Sequence, residues 1–396
     1  MASQETLGDH GSARSSLLYD PKVRSVVFQV VVFVGLLVFV AWIVGNTIDN
    51  LRRANISSGY GFLNSRAGFD IAVSLIPFTP DSTFGRALVT GLLNTLVVAF
   101  VGILTATIVG FLIGIGRLSK NWLISRICTV YVEVFRNIPP LLVIFFWYLG
   151  VLSVLPLPRD SIELPLYSFL NSRGFFFPRA IWGEGAWLIP LALVLGIAMS
   201  WFVARRAHAR QMATGQTFPV FWTSVGLILG LPILAFLVMG APLSFEYPVL
   251  GTFNLNGGWT VKPEFLSLYL ALSFYTASFI AEIVRAGILG VAHGQSEASF
   301  ALGLRPGQAL RLVIVPQAMR IVIPPLTSQY LNLTKNSSLA VAIGYPDLVA
   351  IGGTILNQTG QSIEVVAIWM VVYLGLSLTT SVFMNWFNSR MALVER

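Results

Sequence analysis

Long apolar stretches alternate with short polar segments along most of the chain. Eight of these stretches approach or exceed the roughly 20 residues needed to cross about 30 Å of hydrocarbon at 1.5 Å per residue. They cover residues 26–45, 88–115, 127–152, 186–204, 219–241, 265–286, 321–344 and 365–387. The pattern therefore predicts an all-α membrane protein with eight transmembrane helices.

Two proline pairs fall inside these predicted helices. Pro139-Pro140 interrupts the third helix and Pro324-Pro325 interrupts the seventh. Proline lacks an N–H and clashes with the preceding turn of a helix. We therefore expect each pair to break its helix and to free backbone groups that can line a cavity.

The composition excludes a soluble globular protein. The 396 residues are 55% hydrophobic and 11% charged, whereas soluble domains carry about 25% charged residues. Cys128 is the only cysteine, which excludes an internal disulfide and a Cys-rich metal site. We attribute the net charge of +8 to basic loops on the cytoplasmic side of a membrane rather than to binding of nucleic acid.

The distribution of Lys and Arg predicts the orientation of the chain. With the N-terminus inside, the inner segments hold 15 of these residues and the outer segments hold 8. Cytoplasmic loops of membrane proteins carry the excess of Lys and Arg. Both termini are therefore predicted to be cytoplasmic. Residues 26–44 are expected to form an uncleaved first helix, because no small-residue cleavage site follows them.

The cytoplasmic segment from Glu297 to Arg320 carries strong signals for the beginning and end of helices. Ser296 is a suitable N-cap, and Gly303 can adopt the left-handed conformation that ends a helix. A second helical stretch is predicted over 308–315, with its end near Pro316.

A helix of about two turns is not stable alone in water, so this segment needs a binding surface. Phe300 and Leu304 are expected to project from it as apolar side chains. From the residues alone, two readings stay open. The segment lies on lipid headgroups as an amphipathic loop, or it fits a groove on a cytoplasmic partner.

The spacing of "EASFALG" followed by "VIVP" resembles the EAA loop of ABC importer permeases. Glu297, Ala298, Gly303 and Pro316 match the pattern of that loop, while Ser299, Val313 and Val315 depart from it conservatively. The resemblance implies that the segment is a coupling helix that docks into an ATPase subunit. We accordingly assign coupling to one set of residues: Glu297, Ala298, Phe300, Gly303, Leu304 and Pro316.

Three further stretches, 91–119, 131–148 and 316–349, resemble the polar-amino-acid branch of these permeases. The overall layout is similar to the larger permease of the general L-amino-acid ABC importers. The resemblance implies a five-helix type I importer core with three extra helices, located in a bacterial inner membrane. It also implies the partners: an ABC ATPase dimer that binds ATP and Mg, a second homologous permease, and a periplasmic amino-acid-binding protein.

This interpretation divides the chain into consecutive parts. They are a cytoplasmic tail (1–25), an extra helix (26–45), a periplasmic loop (46–87), the permease domain (88–388) and a cytoplasmic tail (389–396). Within the permease domain, an insert (156–262) carries two extra helices, and a coupling loop spans 287–320.

Polar residues inside the predicted helices favour a polar substrate. An amino acid offers one cation and one anion. A charged residue at the centre of a membrane helix costs about 2.5–3.5 kcal/mol on insertion scales, so such a residue is expected to have a function or a partner. The candidate translocation path contains Glu133, Arg136, Gln329, Asn332, Lys335, Ser337 and Ser338. Glu133 and Arg136 have the i,i+3 spacing of a pair on one helix face.

Structural roles are the alternative for each of these groups. Glu133 and Arg136 can reach the cytoplasmic interface with their long side chains. Lys335 can form an ion pair at a subunit interface, and the two serines, Ser337 and Ser338, can join helices by hydrogen bonds.

The chain has no nucleotide-binding motif of its own. A Walker A motif needs Gly before Lys, whereas the four lysines follow Pro21, Ser119, Val261 and Thr334. The sequence therefore predicts a transport subunit without catalytic residues or a bound cofactor. The alternative is a secondary amino-acid transporter driven by an ion gradient, for which internal repeats and buried carboxylates are the expected signs.

Overall fold

Twelve α-helices dominate the part of the chain that the structure describes, a computed structural model covering residues 21–53, 59–252 and 254–391. Most of the predicted N-terminal tail and the last five residues lie outside these ranges. The helices are α1 (Pro21–Arg53), α2 (Phe84–Gly116), α3 (Trp122–Asn137), α4 (Pro140–Phe145), α5 (Leu188–Thr214), α6 (Val220–Val238), α7 (Pro263–Leu289), α8 (His293–Ala301), α9 (Pro306–Ala309), α10 (Val315–Asn336), α11 (Leu348–Thr359) and α12 (Ser362–Met391). Seven helical segments can cross a membrane, or eight if α3 and the bent segment after it form one span. The prediction of a helical membrane protein is confirmed.

The core forms around α7, which packs against α2, α3, α4 and α10. Glycines allow α2 to approach α7 closely. A Cβ at Gly110 would meet the side chain of Ile280, and a Cβ at Gly114 would lie 2.7 Å from the Ala281 carbonyl oxygen. Such small residues are the usual means of close helix packing in membranes.

The proline pair in the third predicted helix breaks it as expected. Helix α3 ends at Asn137, and Ile138 is extended (φ −106°, ψ 132°), as the residue before a proline prefers. The chain then resumes as α4, followed by a π-helical segment over Phe146–Leu152. The two halves of this span are bent by 110°.

The proline pair in the seventh predicted helix does not break it. Helix α10 continues through Pro324 and Pro325 to Asn336, and a 3-10 segment over Ser337–Ile343 follows. Both prolines are exposed on α10, and membrane helices tolerate proline where neighbouring groups satisfy the freed backbone carbonyls. The expected break at Pro324-Pro325 was therefore wrong.

The insert contains a β-structure that the sequence pattern did not predict. Its eight short strands are β1 (Ile162–Leu164), β2 (Ser168–Asn171), β3 (Gly174–Phe177), β4 (Arg179–Trp182), β5 (Leu243–Glu246), β6 (Val249–Leu250), β7 (Leu255–Asn256) and β8 (Trp259–Val261). They form an antiparallel sheet in the order β1-β2-β3-β8 and two antiparallel pairs, β4-β5 and β6-β7.

These strand pairs determine which ends of the helices lie together. Strand β4 precedes α5 and pairs with β5, which follows α6. Strand β3 pairs with β8, which precedes α7. The start of α5, the end of α6 and the start of α7 therefore lie at one end of the molecule. The α5–α6 turn and the end of α7 lie at the opposite end.

Candidate functional site

Helix α8 and the turn after it form the segment that resembles a coupling helix. The helix begins at His293 with Ala292 as its N-cap residue, so Ser296 lies inside the helix and is not its cap. Gly303 has φ +76°, as expected for a glycine that ends a helix. The N–H of Gly303 donates to the Phe300 carbonyl (2.9 Å) and that of Leu304 to the Ser299 carbonyl (3.1 Å). These two bonds form a Schellman motif.

The outer surface of α8 is exposed and carries three of the six residues assigned to coupling. Glu297, Ala298 and Phe300 are exposed, and Glu297 lies 3.1 Å from Nδ1 of His293. Leu304 is only half-buried, whereas Leu302 is 82% exposed. Leu302 is therefore the more prominent apolar side chain. Leu302 was not among the residues predicted for coupling, although it directly precedes Gly303 at the bend.

Gln295 of α8 accepts one hydrogen bond from within the helix and one from α10. The Ser299 hydroxyl is buried and donates to the Gln295 carbonyl (2.6 Å). The Gln317 amide donates to the Gln295 side-chain oxygen (3.1 Å). Pro316 lies in the first turn of α10 and does not end a helix. The predicted stop there was wrong, because a proline in a first helical turn lacks only an N–H that would be unpaired anyway. The exposed hydrogen bond between Gln317 and Gln295 thus joins α10 to α8.

The second half of helix α10 exposes a polar face. Ser328, Asn332 and Lys335 are exposed at positions that share one side of the helix with the two prolines. The opposite side is buried and includes Ile323, Leu326 and Leu333. In the described ranges no carboxylate lies within 4.0 Å of the Lys335 ammonium.

The other polar residues predicted around Lys335 are less exposed. Gln329 and Ser338 are half-buried. The Ser337 hydroxyl is fully buried and donates to the Thr334 carbonyl (2.7 Å), and Ser338 donates to the Lys335 carbonyl (2.8 Å). Ser337 therefore satisfies the backbone at the end of α10 and does not join the exposed polar face.

The depth of Lys335 follows from the packing of α10 on α2. Gly102 lies near the middle of α2, and a Cβ there would meet Leu333 at 3.3 Å. Helix α2 has 33 residues and is about 50 Å long at 1.5 Å per residue. Lys335, in the last turn of α10, is thus near the middle of the membrane-spanning region, far from both ends of α2.

Glu133 and Arg136 belong to a separate cluster of charges at the coupling end of the core. Glu282 of α7 contacts Arg117 at the end of α2, and its Oε1 accepts from Arg285 (2.7 Å). Arg136 Nη1 lies 4.0 Å from Glu282, and Glu133 Oε1 lies 3.9 Å from Arg117. The expected Glu133–Arg136 pair was wrong, because each side chain finds its opposite charge on another helix. Arg117, Glu282 and Arg285 were not predicted as site residues.

A comparison with known protein families identifies the family of the chain. The model of the family described as binding-protein-dependent transport system inner membrane component matches residues 189–393. The chain is also 65% identical over 389 residues to the general L-amino acid transport system permease protein AapQ of Rhizobium johnstonii. The alignment covers 98% of this chain and 97% of that protein. The chain belongs to this family. The resemblance inferred from its motifs is confirmed.

Another relative matches nearly the full length of the chain. The putative amino-acid ABC transporter permease protein YhdX of Escherichia coli is 49% identical over 378 residues, or 95% of this chain and 96% of that protein. Among solved structures, a crystal structure of an amino acid ABC transporter with histidines covers 78% of this chain and 95% of its own, at 20% identity and a TM-score of 0.47.

Membership of the family establishes the general role of the chain. It is a multi-pass inner-membrane permease of a binding-protein-dependent transport system, and it is a transport subunit rather than an enzyme. Such a permease works with a substrate-binding protein and an ATPase. No finding supports the alternative of a secondary transporter driven by an ion gradient.

Proposed function

We propose that the chain forms half of a pathway that carries L-amino acids from the periplasm to the cytoplasm, driven by ATP. A second, homologous permease forms the other half. ATP and Mg bind to a dimer of partner ATPases, and this chain binds no cofactor. The names of the two full-length relatives support the substrate class, since both are amino-acid permeases.

The observation that carries the proposal is the position of Lys335. Its ammonium is exposed near the middle of the spanning region, and no carboxylate of the described residues lies within hydrogen-bonding distance. A cation at this depth costs about 2.5–3.5 kcal/mol on insertion scales. A water-filled pathway at a subunit interface removes this cost. Because every amino acid carries an α-carboxylate, one lysine suits a broad range of amino acids.

The polar face of α10 supports the same assignment. Ser328 and Asn332 extend the exposed surface from Lys335 towards the coupling end. These neutral donors and acceptors can hold an amino acid without fixing its side chain. Glu133 and Arg136 are assigned to the charged cluster with Glu282 at the inner end of the pathway.

The coupling segment links this pathway to the ATPases. Its exposed apolar side chains, Phe300 and Leu302, suit a groove on a soluble partner. The contact between Gln317 and Gln295 transmits the movement of α8 to α10. In this orientation the coupling segment and both termini are cytoplasmic, and the insert with its strands is periplasmic. The excess of Lys and Arg in the short inner loops supports this orientation.

Reconstituted transport tests the proposal. The purified complex of both permeases and the ATPase is placed in liposomes with ATP inside and the binding protein outside. Uptake of labelled L-amino acids is expected to require ATP and the binding protein, to persist when ionophores collapse ion gradients, and to exclude a labelled sugar. Uptake driven by an ion gradient without ATP would overturn the mechanism. Import of the sugar but not of amino acids would overturn the substrate class.

A further inference from the structure

The helical hairpin formed by α5 and α6 is attached to the core mainly through the strands at one end. Its two helices pack chiefly on each other. A Cβ at Gly196 of α5 would meet the backbone of Leu227 of α6, so the helices are in close contact there. Most other residues of the hairpin are exposed or half-buried. Much of its surface is therefore not covered by the rest of the described chain.

The free tip of the hairpin is strongly basic. Residues 188–238 contain Arg205, Arg206, Arg210 and His208, and they contain no Asp, Glu or Lys. The guanidinium of Arg205 lies 5.3 Å from the ring of Trp201, and that of Arg206 lies 4.6 Å from the ring of Phe202. Each guanidinium is thus within cation–π distance of an aromatic ring.

The arginines lie at the level of the lipid headgroups. Helix α5 runs 17 residues from Leu188 to Arg205, or about 26 Å, close to the hydrocarbon thickness of about 30 Å. The packing of Gly196 on Leu227 indicates the same level for the arginines. Arg206 lies about 15 Å beyond Gly196, whereas α6 begins at Val220, about 10 Å from Leu227. Arg206 and Arg210 thus stand just past the start of α6.

A groove at this level combines an apolar floor with a basic rim. It has a volume of about 490 Å³ and is lined by Phe202, Val203, Arg206, Arg210 and Phe218. One N–H of Arg210 donates to the Gln216 side chain (3.0 Å), and its other donors point to no acceptor in the described chain. The groove suits a ligand with an anionic, multiply accepting head and an apolar tail.

We propose that this groove binds one anionic phospholipid of the leaflet on the side of the coupling segment. The phosphate is held by Arg206 and Arg210, and the upper part of an acyl chain lies against Phe202 and Phe218. Basic pockets at helix ends are typical sites for anionic headgroups. The apolar floor distinguishes a lipid from a free phosphate ion, which would gain nothing from it. Such a lipid anchors the free end of the hairpin at a fixed depth.

Native mass spectrometry of the purified full-length chain tests this inference. The protein is delipidated and then mixed with dioleoyl-phosphatidylglycerol or dioleoyl-phosphatidylcholine, with and without excess inorganic phosphate. We expect retention of one phosphatidylglycerol with at least about 5-fold preference over phosphatidylcholine, about 1 kcal/mol. Inorganic phosphate is expected to leave it bound. Equal retention of both lipids, or complete displacement by phosphate, would overturn the proposal.

Paired variants locate the site. Arg206→Gln with Arg210→Gln is expected to remove the preference for phosphatidylglycerol. Arg159→Gln with Arg179→Gln changes two exposed arginines of the insert at the opposite end and is expected to keep it. Monodisperse elution confirms that both variants are folded. If the first pair retains the lipid but loses the ATPase in co-purification, the tip is a protein contact and the lipid site is wrong.

Discussion

Glu282 of α7 accepts hydrogen bonds from Arg117 at the end of α2 and from Arg285 one turn further along α7. Both contacts lie within two turns of Leu289, where α7 ends and the chain enters the coupling segment. A single carboxylate thereby joins the ends of α2 and α7 next to the coupling segment. Arg136 also lies 4.0 Å from Glu282, so the C-terminal end of α3 belongs to the same charged cluster.

Replacing Glu282 with Gln is expected to destabilise the protein by about 1–3 kcal/mol. The change keeps the shape of the side chain but leaves the guanidiniums of Arg117 and Arg285 without their counter-charge. The expected loss of stability is smaller than for a fully buried ion pair because the Glu282 side chain is 26% exposed. A denaturant titration of the detergent-solubilised chain measures the effect.

Glu163→Gln is the matched control for this change. Glu163 is exposed on β1, and its substitution is expected to change the free energy of unfolding by less than about 0.5 kcal/mol. Equal effects of the two substitutions would show that Glu282 does not hold the helix ends together.

Gly303→Asp is expected to abolish ATP-dependent uptake while the chain still inserts. The left-handed backbone at Gly303 costs a residue with a Cβ about 1–2 kcal/mol, and the Schellman turn that presents Leu302 would shift. Gly303→Asn is expected to retain more uptake, because Asn tolerates this conformation better. Uptake and membrane content are measured together.

Gly307→Ala provides the control on the same segment. Gly307 lies in α9, has no positive φ, and would place its Cβ in open space. Normal uptake is expected. Normal uptake by Gly303→Asp as well would remove the turn from the coupling mechanism.

Lys335→Ala is expected to lower uptake about 10-fold or more without an equal loss of assembled complex. The reason is the loss of a charge-assisted contact with the substrate carboxylate, worth about 1.5–3 kcal/mol. Uptake is divided by the amount of complex recovered on an affinity tag. Lys120→Ala, at an exposed lysine after α2, is expected to leave both unchanged. If Lys335→Ala lowers uptake and assembly in parallel, Lys335 is a subunit contact instead.

Asp347 is expected to make stability depend on pH. It is fully buried between the 3-10 segment and α11, and its Oδ1 accepts from the Ala350 N–H (2.8 Å). Burial raises the pKa of Asp347 to about 7, whereas the unfolded value is about 3.9. The folded state therefore holds a proton that the unfolded state releases over this range. Stability falls as the pH rises from about 4 to about 7.

Asp347→Asn should remove this part of the pH dependence, since Asn keeps an oxygen for the N-cap and cannot ionise. The measurement is the thermal midpoint of the purified chain at pH 5.5 and pH 8. A wild-type difference that is unchanged in Asp347→Asn would show that another group titrates.

The sequence predicted the helical spans well, because transmembrane helices need long apolar stretches whatever surrounds them. It also predicted the break at Pro139-Pro140 and the left-handed glycine at 303, which depend on local backbone chemistry. The strands of the insert were missed. They contain two to four residues each, too few for an alternating pattern to show.

The charged cluster was missed for another reason. Glu133 and Arg136 suggested a pair by their spacing, but their partners Arg117 and Glu282 come from α2 and α7, far away in sequence. Local spacing cannot reveal such contacts. The reading of Pro324-Pro325 failed because a membrane helix continues through proline where its surroundings satisfy the freed backbone groups, and the local sequence does not reveal those surroundings.

The most direct test of the central claim is photo-cross-linking from Leu302. A photoreactive amino acid is placed there in the complex purified with its ATPase, and a second variant carries it at Leu166, which is similarly exposed (84% against 82%) but lies in the insert. The account predicts a cross-link from position 302 to the ATPase, identified by its Walker A peptide, and none from position 166. If position 302 reacts only with lipid, the segment lies on the membrane surface and does not couple this permease to a motor.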